Sequence, residues 1–144
     1  MGARTRSLPG LNTPAGLGLA VASLAVGTAV LYAIDVFGYS GGVVFVPFHA
    51  AVVGALAALV VGTRRRWYGV ALAVAYAPFL GARLEWGLVE LSTRPLVDRL
   101  AFVVRPGSLG SLAVEAAVVG TVGYGVGRTV RWLVDRRDRP PVAE

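Results

Sequence analysis

The chain has no cysteine, no lysine and a single histidine. Without cysteine there are no disulfides, no thiolate metal ligands and no thiol nucleophile. Imidazole chemistry is confined to His49. Charge is scarce: charged residues are 15% of the chain, against about 25% in ordinary soluble domains. Acids are the scarcer sign, with 8 Asp and Glu against 14 basic residues, every one of them arginine. The resulting net charge of +6 would suit nucleic acid if the arginines formed one patch. They sit instead at the ends of apolar runs, where they would meet lipid headgroups. The partner expected from this placement is the lipid bilayer, and nucleic acid is set aside.

Apolar residues are abundant, at 56% of 144 residues, with a mean hydropathy of +0.67. Four stretches, about 15–37, 42–62, 68–90 and 109–127, are mostly apolar and approach or exceed 20 residues. About 20 such residues cross a hydrocarbon layer of ~30 Å at ~1.5 Å per residue. The expected fold is therefore all-α, an integral membrane four-helix bundle running up-down-up-down, within a domain over 1–134. The first stretch is too long for a cleavable signal peptide and has no clear small-residue cleavage site after it. Residues 135–144, with charged residues before a double proline, are expected to form a disordered polar tail.

Arginine placement gives an orientation. Arg4 and Arg6 precede the first stretch, Arg64 to Arg66 follow the second, and Arg128, Arg131, Arg136, Arg137 and Arg139 follow the fourth. The opposite ends have only Arg94, Arg99 and Arg105, with Arg83 inside the third stretch. Both termini are expected on the cytoplasmic side of the cell membrane, in a multi-pass arrangement. Trp67, Tyr68 and Trp132 fall at the inner boundary and Tyr39 at the outer one, as interface anchors do. Between Pro95 and Pro106, the segment LVDRLAFVV reads as a short interfacial helix.

Residues 121–125 spell TVGYG, a string that resembles the selectivity filter of potassium channels, whose backbone carbonyls replace an ion's hydration shell. The context differs. Val126 stands where an acid commonly follows, and no apolar span remains after it to line a pore. The expectation is a helix whose glycines serve packing. Membrane helices associate through close approach of small residues. Such residues recur at helical spacing as Ala116, Gly120, Gly123 and Gly127; as Ala50, Gly54, Ala58 and Gly62; and as Gly16, Ala20, Ser23 and Gly27. These Gly/Ala faces are the expected contacts between helices, or with a second copy or a partner membrane protein.

Ionisable residues inside the spans are the candidate site, because each costs about 2.5–3.5 kcal/mol at mid-bilayer and is expected to be paired. They are Asp35, His49, Arg83, Glu85, Glu90 and Glu115. By helical rise, Asp35 lies ~5 Å below the outer boundary and His49, Arg83, Glu85 and Glu115 lie roughly 8–11 Å below it. One polar layer in the outer leaflet is expected, with Arg83 as central cation and Glu115, Glu90 or Asp35 as its partner. One His with scattered carboxylates is a poor metal set, so no metal, no cofactor and no catalytic set is assigned. The function expected is a non-enzymatic accessory or structural unit. The alternative is a small transporter or channel with a polar site open to the outer face.

Overall fold

Residues 13–38, 47–64 and 66–137 are described by the computed structural model of the chain. Among them every regular element is helical. The first helix, α1 (Pro14–Ala33), opens with Thr13 in extended backbone, its hydroxyl accepting the Gly16 N–H at 3.1 Å. Proline at the first helical position then costs no hydrogen bond. α1 closes on Asp35, whose φ of 56° is left-handed. The Asp35 N–H donates to the Tyr32 carbonyl and the Phe37 N–H to the Leu31 carbonyl, both at 3.0 Å, so Asp35 serves as a helix-terminating residue in a conformation that Asp tolerates.

Helix α2 (Phe48–Thr63) follows Pro47, and α3 (Tyr68–Glu85) follows the extended Trp67. α3 runs on into a wider π turn, Trp86–Glu90, closed by the Leu91 N–H on the Trp86 carbonyl at 3.1 Å. Pro95 and Pro106 punctuate the next stretch. The short helix α4 (Leu96–Val103) starts after the first, and α5 (Pro106–Arg137) starts on the second. The short helix expected between the prolines is thus α4. At 32 residues, α5 is about 48 Å long. It continues ten residues past the 109–127 span, through Asp135, Arg136 and Arg137, which the sequence had assigned to the tail. An Arg131–Asp135 ion pair at 3.1 Å, one turn apart, supports the extension.

The pairs in contact are α3 with α1, α2 and α5, and α2 with α5. Small residues set the spacing. A methyl group on Gly54 would lie 2.9 Å from the Ala75 carbonyl oxygen of α3. Methyls on Gly123 and Gly127 would meet the backbones of Ala55 and Leu59, and one on Gly62 the backbone of Tyr124. α2 and α5 therefore run in the same direction with their backbones almost touching. Gly81 of α3 receives the Ala25 backbone of α1 in the same way. The stripes expected on α2 and α5 are buried as expected, but inside the chain, which removes those faces from any oligomer contact. The stripe expected on α1 is a correction. Ser23 and Gly27 are exposed, and α1 instead buries Ala25, Thr28 and Tyr32. Gly81 supplies the small residue at that contact, so α1 can present larger side chains.

The outward faces are greasy. Leu19 and Val26 on α1, Leu56 and Val60 on α2, and Val118 and Val122 on α5 are exposed, while the residues between helices are mostly Ala and Gly. α1 and α5 are each long and apolar enough to cross a membrane, and α2 is apolar but shorter. The start of the expected second span, 42–46, lies outside the described residues, as do Tyr39, Arg4, Arg6, Arg65 and Arg139.

Candidate functional site

TVGYG is helical. Thr121 to Gly125 occupy the middle of α5, with the Thr121 hydroxyl donating to the Ala117 carbonyl at 2.6 Å. Carbonyls committed to helix bonds cannot line an ion path. Tyr124 points across the bundle and donates to the Arg66 carbonyl at 3.0 Å, and its ring meets Tyr68 edge-on. These residues tie the short link between α2 and α3 to α5.

Three of the ionisable residues flank one apolar cluster. That cluster joins Tyr32, Ala50, Phe79, Ala82, Leu112 and Ala116 from four helices. His49, Arg83 and Glu115 are chain neighbours of Ala50, Ala82 and Ala116, so the three lie at one level. They do not form one network. Among the described residues, Arg83 pairs with no carboxylate, which corrects the expected Arg83–Glu115 and Arg83–Glu90 contacts. Its Nε donates to the Val103 carbonyl at 3.0 Å, its Nη2 donates to the Phe102 carbonyl, and its guanidinium lies 4.3 Å over the Phe102 ring. The cation thus closes the C-terminal end of α4, where unpaired carbonyls carry partial negative charge.

Arg99 makes the reverse contact. From α4 its Nε donates to the Gly87 carbonyl at 3.3 Å and its Nη2 to the Leu88 carbonyl, both in the π turn. Gly87 leaves room for this, since a methyl there would collide with Val103. Two arginines pointing in opposite directions clasp α4 to the end of α3. Arginine fits because one planar fork can satisfy two carbonyls.

His49 belongs to an aromatic group. Its ring stacks on Phe37 at 4.9 Å with 7° between planes, and meets Tyr32 and Phe48 edge-on. Phe37 reaches it because the Asp35 cap turns the chain back. Asp35 itself is exposed, and so is Glu90 at the end of the π turn. Glu85 is buried, at 4% exposure, and lies within electrostatic range of Tyr32. Glu115 is half-buried, and one of its carboxyl oxygens is fully covered with no hydrogen-bond partner among the described residues. A buried carboxyl without a partner costs more than a neutral amide of the same shape. Glu115→Gln is therefore expected to leave the melting temperature in detergent unchanged or raised; a clear fall would mean that the carboxylate has a partner.

Among the described residues no three His, Asp or Glu side chains come together at ligand spacing. The residues that sequence reasoning missed are Tyr32, Phe37, Phe102 and Arg99. Their partners are rings and backbone carbonyls, which leave no pairing pattern in the sequence. No family, curated protein or solved structure matches this chain.

Proposed function

We propose that the chain is a small multi-pass membrane protein that serves as a packed helical accessory or structural unit and carries out no catalysis. In this reading α1, α2, α3 and α5 are the four spans, and both termini are cytoplasmic. The ionisable level at His49, Arg83 and Glu115 lies in the outer leaflet. The observation that carries the reading is the distribution of size. Gly and Ala fill the helix contacts while Leu and Val face outward. Lipid tails are as apolar as Leu, so a bilayer rewards close backbone approach over burial of large side chains. Trp67 and Trp132, both exposed, stand at the end that also bears Arg64, Arg66 and Arg128, as an inner interface requires. Catalysis is disfavoured because Arg83, Arg99 and His49 are committed to backbone carbonyls and rings.

The absence of native cysteine makes the test direct. Single cysteines at Ser92, Arg64 and Val122 are each exposed to a membrane-impermeant maleimide. Ser92→Cys is expected to react in intact cells and Arg64→Cys only after permeabilisation. Val122→Cys is expected to stay unlabelled in both. Labelling of Ser92→Cys and Arg64→Cys from the same side, or ready labelling at position 122, removes the reading.

A second reading, a small transporter or channel, draws on the partnerless oxygen of Glu115. Intramembrane carboxylates of that kind mark ion or proton routes. Arg83 is turned away from Glu115 in the sense that its Nε and Nη2 donate to α4.

A further inference from the structure

Three arginines from two parts of the chain have their main chains close together where the C-terminal end of α2 lies on α5. A methyl on Gly62 would sit 3.2 Å from the Arg128 backbone nitrogen, and one on Gly127 would sit 3.0 Å from the Thr63 backbone nitrogen. Arg64 follows Thr63 directly, and Arg128 follows Gly127. Arg66 is held at the same place, because its carbonyl accepts the Tyr124 hydroxyl one turn before Arg128.

Two of the other guanidinium groups at this end are engaged, while Arg137, at the last position of α5, has no partner among the described residues. Arg131 is paired with Asp135, and Arg136 lies 3.7 Å over the Trp132 ring. Among the described residues Arg64, Arg66 and Arg128 have no hydrogen-bond, ion-pair or ring partner for their side chains. Among the described residues the one acid at this end, Asp135, is paired with Arg131. No acid occurs between Asp35 and Glu85, or between Glu115 and Asp135. Three like charges whose main chains are packed close together favour an anionic partner. Trp67, 80% exposed, stands beside them at the level where indole rings meet lipid glycerol groups.

We propose that Arg64, Arg66 and Arg128 form a single binding site for the phosphate of an anionic phospholipid. The guanidinium forks take the phosphate oxygens, and Trp67 lies along the glycerol end of the acyl chains. The site rests on the membrane-spanning reading above and places its ligand in the inner leaflet.

Native mass spectrometry of the full chain in detergent tests it, with phosphatidylglycerol, phosphatidylcholine and inorganic phosphate as separate probes. Phosphatidylglycerol is expected to bind preferentially, and its affinity is expected to fall about five-fold for each of the three arginines replaced by Gln. Arg64→Lys keeps the charge but not the fork and is expected to lose less than Arg64→Gln. Arg131→Gln and Arg136→Gln, whose native arginines are already engaged, are expected to leave the affinity unchanged. Matching thermal melts across the variants exclude misfolding as the cause. Equal binding of the two lipids, or a triple variant that keeps its preference, overturns the site. Inorganic phosphate bound as tightly as the lipid overturns the lipid source. A chain that stays folded without detergent fails the membrane reading itself, whereas one that needs detergent but takes lipids unselectively fails only this inference.

Discussion

Valine at Gly123 should push α5 away from α2 and lower stability by about 3 kcal/mol, while alanine at Gly125, two residues on, should be harmless. The two glycines sit in one helix and one five-residue string, but they face opposite ways. A methyl at Gly123 would collide with the Ala55 carbonyl and lie 3.1 Å from the Ala58 methyl, whereas a methyl at Gly125 has nothing within 4 Å. Valine adds two further carbons to a gap already filled by backbone, and backbone cannot move aside as a flexible side chain can. Alanine at Gly125 instead gains about 0.5–1 kcal/mol of helix propensity. Thermal unfolding in detergent reads both. The same pair separates a helix from a filter loop, because a loop built from carbonyls would need the conformational freedom of both glycines. Equal damage at the two positions would sink the helical account of 121–125.

Arg83→Gln should release α4 from the rest of the molecule. Two hydrogen bonds from a charged donor are lost, and the cation leaves the helix end. Taken together these are worth about 3 kcal/mol, or roughly a hundred-fold in the local opening equilibrium. Hydrogen exchange across 96–103 should speed up by that factor, with α2 and the centre of α5 unchanged. Arg99→Gln should act on the same segment, and the double variant should do less than the two effects added, since both arginines hold one contact. Glu115→Gln should leave exchange in α4 unaltered. Slower or unchanged exchange in Arg83→Gln would return Arg83 to the carboxylate partners that its sequence position suggested.

The helices could be read in the sequence because apolar runs are long and their ends are marked by arginine, proline and glycine. The faces of α2 and α5 were legible for a related reason. Small residues four apart, such as Gly54 and Ala58, have one obvious use in a helix this apolar. α1 carries an equally regular set at Ser23 and Gly27, yet turns it outward. Which of two facing helices supplies the small residue is decided by the partner, here Gly81, and one strand of sequence does not encode that choice. The end of α5 was placed too early because apolarity fades at Gly127, whereas helix continuity depends on backbone bonds and on pairs such as Arg131 with Asp135. The contacts of the candidate residues were illegible. His49, Arg83 and Glu115 are chain neighbours of residues in one apolar cluster. Arg83, however, binds carbonyls, and a carbonyl belongs to every residue. The π turn at 86–90, which presents two such carbonyls to Arg99, has no sequence mark of its own.

The interlocked backbones of α2 and α5 have a mechanical consequence. Each glycine notch on one helix receives part of the other helix's main chain, so neither can slide past its neighbour without first lifting out by the depth of a notch. The pair should move as one stiff body. Any working motion of this molecule then has to hinge elsewhere: at α1, which leans chiefly on α3, or at α4, which is held by Arg83, Arg99 and the packing of Val103 on Gly87.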